Sequence, residues 1–221
     1  MDKSMYSLIL IDEVVRKIDT LAHTRGISRS SLINHILADH ISLLIPQKRI
    51  EEIFGSLSRA ARVGDRFRVK QQSASMLLLI SALNYRYSPA IRYSVEIAPE
   101  GGRYICELRV SSRTKSADAI LRLNVFFELW SQIEHVMLAE KFGGELRYSM
   151  TEGRFRRRLE IENGGEVYPS ELLGKSIGAY IRLFDKALGL CFGAEHGVDM
   201  QTYEQMSELY RKYMEEREII L

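Results

Sequence analysis

The chain has 221 residues, of which 46% are apolar and 27% charged, with a formal net charge of +2. That composition suits one large or two small soluble globular domains and argues against a strongly basic nucleic-acid coat, while leaving room for a local basic patch. The run Leu8–Ile11 is too short and too close to acidic residues for a signal peptide, and no stretch approaches a membrane span. Cys106 and Cys191 make no disulfide framework; each sits among apolar residues, so two buried, reduced thiols and a cytoplasmic setting are predicted.

Residues 5–11 alternate as a strand, with Tyr6, Leu8 and Leu10 on one face and Met5, Ser7 and Ile9 on the other. A helix follows, capped by Asp12, with Val14, Ile18, Leu21 and Ala22 at helical spacing. Arg25-Gly26 stops it, and Ser28 caps a second helix striped by Leu32, Ile33, Ile36, Leu37 and Ile41. One strand and two helices of this size cannot bury a core alone, which predicts dimerisation.

Pro46 closes this region, and residues 47–63 read as a helix with Ile50, Ile53, Phe54, Leu57 and Ala61 on one side and Lys48, Arg49, Arg59 and Arg62 on the other. Residues 47–70 hold seven Lys/Arg against three Asp/Glu, so the excess positive charge lies just after the first unit. Residues 65–74 read as a polar linker. Strands are predicted at 75–84, 90–97 and 103–110; Ile91, Tyr93, Val95 and Ile97 face inward on the second, and Tyr104, Cys106, Leu108 and Val110 on the third. Ser116 caps a long helix over 117–141 striped by Ile120, Leu123, Phe127, Trp130 and Met137. A hairpin over 145–162 turns at Glu152-Gly153, and helices over 170–188 and 200–217 finish the chain. The order predicts an α+β fold: a small N-terminal unit over 1–45, a helix and linker over 46–74, and an antiparallel sheet domain with helices on one face over 75–221.

Residues from about 4 to 42 resemble the ribbon-helix-helix family of DNA-binding proteins, of the Arc, MetJ and CopG type. The most specific part is Gly26-Ile27-Ser28-Arg29-Ser30, which is similar to the family's turn into its second helix. The resemblance implies that two strands pair across a homodimer and enter the major groove. It also implies that Ser28, Arg29 and Ser30 grip a DNA phosphate, which the unpaired amides and positive end of a helix N-terminus favour. The base-facing positions map onto Met5, Ser7 and Ile9. Base edges are read mainly by Arg, Lys, Asn and Gln, and only Ser7 is polar here, leaving Met5 and Ile9 for thymine methyls.

Other motifs are weaker. Leu173-Gly174-Lys175-Ser176 lacks the first glycine of a phosphate loop, since position 169 is Pro. The five histidines, at 23, 35, 40, 135 and 196, show no zinc spacing, and no nucleophile elbow or catalytic constellation is present. Neither metal, cofactor nor enzymatic activity is expected. The run Arg154 to Arg158 places Arg154, Arg156 and Arg158 on one strand face, either solvated and paired with Glu160 and Glu162 or contacting a phosphate or acidic partner. Arg157 falls on the apolar side and must find a partner there or reach out at the strand edge.

Two functions compete at this level. One is a dimeric, CopG-like transcriptional regulator that binds DNA through its N-terminal unit and a protein partner or ligand through the rest. The other is a protein-interaction or chaperone-like adaptor that uses the ribbon-helix-helix only to dimerise.

Overall fold

The computed structural model describes residues 7–40, 46–62, 64, 66–83, 89–98, 103–142, 146–162, 168–194, 198–217, 219 and 221. They fall into two compact units, residues 1–48 and 49–221.

The first unit is a pair of helices, α1 (Asp12–Arg25) and α2 (Arg29–His40). Ile11, extended at φ −69° and ψ 144°, precedes α1 without a side-chain cap. Asp12 is therefore the first helical residue and not the cap expected; it and Glu13 place negative charge at the positive end of the helix. Gly26, at φ 64°, ends α1 in the left-handed conformation that a Cβ would penalise, and its N–H reaches back to the carbonyls of Ala22 and His23. The expected cap of α2 is present, since Ser28 Oγ accepts the Ser31 N–H at 3.2 Å. Residues 7–11 form no strand within the single chain, and Met5, Tyr6 and Ile41 lie outside the described residues.

The second unit continues from α3 (Pro46–Arg62) through β1 (Arg68–Gln71), β2 (Met76–Ala82), β3 (Ala90–Ile97), β4 (Tyr104–Ser112), α4 (Ala117–Phe142), β5 (Tyr148–Thr151), β6 (Arg154–Glu160), α5 (Ser170–Gly193) and α6 (Met200–Glu215). Pro46 opens α3, where its missing N–H costs nothing. The strands form one antiparallel sheet in the order β1-β2-β3-β4-β6-β5. The fold is thus α+β with an antiparallel sheet, as its strand and helix pattern predicts.

Alternation sets the two sheet faces. Leu79, Tyr93, Val110 and Phe155 are mutual neighbours in register and point inward. They join Leu57 of α3, Phe126 and Trp130 of α4, Phe184 of α5 and Tyr210 of α6 in one apolar cluster. Phe184 is its hub, with ring centroids 5.1 Å from Phe126, 5.3 Å from Trp130 and 5.4 Å from Phe155. Ser116 Oγ accepts the Ala119 N–H and so caps α4 as expected, and Glu152-Gly153 turns the β5–β6 hairpin, its amide held by Asn124 Oδ1 at 2.8 Å.

Two further expectations, both in the 49–221 unit, fail. The polar linker contains β1, an edge strand paired Arg68↔Ile80 through Gln71↔Leu77. Its composition, Arg-Val-Lys-Gln, carries no apolar alternation, because only one of its residues has a core to face. Tyr104 is not inward: the ladder to β6 shifts register between Tyr104 and Cys106. This bulge buries Ile105 and returns Tyr104 to the outer face, where the Arg158 guanidinium lies 5.4 Å from its ring.

Candidate functional site

Three groupings in the structure carry chemistry: the N-terminal helix pair, the outer face of the sheet, and two polar clusters inside the core.

The helix pair buries little. Among the described residues its core is Ile18, Ala22 and Leu32, with Ile27 and Ile33 packed against it. Leu8, Ile9, Leu10, Ile11, Val14, Leu21, Ile36 and Leu37 remain exposed. Eight exposed large apolar side chains in so short a unit are unusual on a free monomer. The base-facing candidates Ser7 and Ile9 are exposed, Ile9 fully; the third, Met5, lies outside the described residues. The phosphate-contact candidates Ser28, Arg29 and Ser30 cluster at the start of α2 and are exposed. Arg29 is already engaged, forming an ion pair with Asp19 of α1. His23 and His35 are not grouped with metal-binding partners, and the described residues contain no cluster of three or more His, Cys, Asp or Glu side chains placed to hold a metal.

The outer face of the sheet is strongly cationic, and the Arg154, Arg156 and Arg158 row is only one part of it. Register puts Arg68 and Lys70 of β1 on this face, then Arg92 of β3, Arg109 of β4, and the three arginines of β6. The opposing carboxylates are few. Glu96 and Glu107 both bind Arg109 at 2.6 Å, and Glu107 also meets Arg156 at 3.5 Å. Glu160 pairs with Arg103 at 3.5 Å and not with the arginine row. Arg68, Lys70, Arg92, Arg154 and Arg158 therefore have no ion pair among the described residues. Met76, Leu78 and Ile80 of β2 lie between the cations of β1 and those of β3, β4 and β6.

Arg157 points the other way. It is 1% exposed, and its Nε lies 3.0 Å from Oε2 of Glu134, itself fully buried on α4. The N–H is not aimed along a hydrogen-bond line, so the contact is ionic. One Nη donates to the Leu221 carbonyl oxygen at 3.0 Å, and the guanidinium sits 5.0 Å from the Tyr180 ring. Glu134 Oε1 accepts Tyr180 Oη at 2.7 Å and Tyr210 Oη at 3.3 Å, while Trp130 Nε1 donates to Tyr180. Desolvation pushes the Glu134 carboxyl upward, opposed by Arg157 and the tyrosine hydroxyls. Desolvation alone would discharge Arg157, but the facing Glu134 outweighs it and holds the guanidinium firmly charged. The partner that the sequence demanded for Arg157 is thus a helix carboxylate from the opposite layer.

A second cluster centres on buried Asp185 of α5. Its Oδ1 accepts Ser81 Oγ and Tyr93 Oη, the latter at 2.8 Å, and its Oδ2 meets Arg66 Nε at 2.6 Å. The Glu134–Arg157 pair is sealed inside the core, whereas the Asp185 cluster reaches the surface through Arg66, whose side chain is 43% exposed; both tie the sheet to its helices. Cys106 and Cys191 are buried as expected, and burial pushes their thiols up to about 12 and about 11.

The buried tyrosines have a measurable consequence. Desolvation raises Tyr93, Tyr180 and Tyr210 well above their ordinary range, and nearby Asp185 or Glu134 adds to it. A folded-state value above the unfolded one leaves stability intact below the unfolded pKa of about 10 and removes it as pH climbs past that value. Tyrosinate absorbance from these residues should therefore appear together with loss of the fold above about pH 10. A smooth titration of every tyrosine with the fold intact would contradict their burial.

The P-loop-like segment is also resolved. Leu173–Ser176 lies inside α5, and Lys175 pairs with Glu171 at 2.7 Å on the surface. Gly174 instead serves contact with α3: a Cβ there would stand 2.5 Å from the Ile53 carbonyl oxygen and 2.6 Å from Ser56 Cβ. No helix among the described residues is long and apolar enough to cross a membrane. In comparisons with known proteins, the chain matches no family model, and neither a curated protein nor a solved structure is significantly similar to it.

Proposed function

We propose that the chain is a homodimeric DNA-binding protein, a regulator of transcription, whose N-terminal unit both dimerises and contacts DNA. The observation that carries this reading is the helix pair's deficit of core. A three-residue buried cluster beside eight exposed apolar side chains is half of a structure. A second copy supplies the other half if the residues 5–11 pair across a two-fold axis and bury Leu8 and Leu10. In that arrangement Met5, Ser7 and Ile9 face the major groove, and Ser28, Arg29 and Ser30 face a phosphate. The 49–221 unit then binds a protein partner or ligand. This reading places the protein in the cytoplasm, where two thiols stay reduced.

One observation favours the adaptor reading. The ribbon surface offers Ile9 where DNA readers carry polar side chains, and Arg29 is tied to Asp19.

The test is light scattering combined with binding to genomic DNA fragments at low and high salt. The wild type should be a dimer and should shift fragments at about 50 mM salt, where phosphate contacts are strongest. Leu10→Asp puts a charge into the dimer core and should give monomers that no longer shift DNA. A well-folded wild-type monomer overturns the reading, and a dimer with no DNA shift at low salt leaves the adaptor.

A further inference from the structure

We propose that the outer face of the six-stranded sheet is a second nucleic-acid surface, one that grips the phosphate backbone of duplex DNA without reading sequence.

The whole chain carries +2, yet this one face gathers five cationic side chains with no ion pair among the described residues. They stand on both sides of the sheet: Arg68 and Lys70 on the edge strand β1, Arg154 and Arg158 on β6, one strand in from the β5 edge, with Arg92 between. From β1 to β6 is four inter-strand steps, about 19 Å at the usual strand spacing. Alternate residues along one strand stand about 7 Å apart. The cations thus form a two-dimensional array and not a single stripe, and repulsion within it is a standing cost that a polyanion removes.

The chemistry of the face selects the partner. Surfaces for single strands stack bases on exposed aromatic rings. Tyr104 is the one aromatic side chain that register places on this face among the described residues, and Arg158 already lies against it. Arginines fork to phosphate oxygens bidentately, and the face is rich in Arg over Lys. Polar groups for base edges are few, since Ser94, Ser111, Ser149 and Thr151 are short. Such a face contacts backbone alone, with affinity that falls steeply with salt.

The experiment uses the full chain and a mixed-sequence DNA duplex. Two double variants remove one side each, Arg68→Glu with Lys70→Glu and Arg154→Glu with Arg158→Glu. All four side chains are exposed, so thermal melting should be unchanged, and the corresponding Gln variants serve if a Glu pair melts early. Each pair should weaken duplex binding alike for all sequences. The wild-type advantage should shrink about tenfold between about 50 and 200 mM salt, because two lost phosphate contacts lower the log–log salt slope by about 1.8. Arg29→Glu, at the N-terminal site, separates the two readings. If it abolishes fragment binding while the sheet variants bind like wild type, the sheet proposal fails and the N-terminal one stands. If the sheet variants lose duplex binding and Arg29→Glu does not, the sheet proposal stands alone. Unchanged duplex binding by both double variants, with loss of binding to poly-glutamate or to phosphatidylserine vesicles, would assign the face to an acidic protein or a lipid surface and overturn it.

Discussion

Arg157→Met should destabilise the 49–221 unit by about 3–5 kcal/mol, the usual result of removing one partner from a buried ion pair. The reason is what remains. Glu134 is fully buried on α4, and without Arg157 its carboxylate keeps tyrosine hydroxyls, those of Tyr180 and Tyr210 among them, but no cation among the described residues. Glu134 must then either hold an uncompensated charge or take up a proton. Adding Glu134→Gln should recover most of the loss, because the amide oxygen still accepts both hydroxyls and no charge is left in the core. The check is a urea denaturation series in which the midpoint moves and the slope does not. If the double variant is no more stable than Arg157→Met alone, the pair is not coupled and the contact at 3.0 Å carries little energy. A double variant as stable as wild type would mean that the ion pair is retained for uniqueness of packing between β6 and α4.

Gly174→Val should cost about 3 kcal/mol, at the upper end for overpacking, because the obstruction is backbone. The new Cβ would stand 2.5 Å from the Ile53 carbonyl oxygen and 2.9 Å from the Leu57 nitrogen, and neither can rotate away. Helices α3 and α5 must separate. Separation stretches the Ser56 Oγ bond to the Glu171 carbonyl, now 2.7 Å, and opens a gap beside Leu57. Gly178→Ala should be milder, since its nearest obstacle is Ala60 Cβ at 2.9 Å, a contact relieved by a smaller shift. Calorimetry should rank Gly174→Val below Gly178→Ala in melting temperature. The reverse order would show that the α3–α5 contact is looser than the geometry requires. The pair also explains a misleading motif: the Gly-Lys-Ser of a phosphate loop is here a glycine for helix contact followed by a surface Lys paired one turn back to Glu171.

Local rules determined much of this protein from its sequence. Strict alternation marked β3 over Ala90–Ile97 and its inward row, because one face meets the core and the other meets water. Ser116, Gly26 and Glu152-Gly153 marked helix and hairpin boundaries through caps and left-handed glycine turns, which are set by local backbone conformation. The parity of β6 alone put Arg157 on the apolar side, leaving it an internal partner or the strand edge, and tertiary structure chose the partner. Tertiary structure decided what depends on residues distant in the chain. β1 exists because β2 offers it an edge, not because Arg-Val-Lys-Gln favours a strand. Tyr104 faces outward because the β4–β6 register shifts beside it. The identities of Glu134 and Asp185 as the buried anchors, and the assembly of a basic face from β1, β3, β4 and β6, required strand order. Charges far apart in sequence became neighbours only once the sheet was paired.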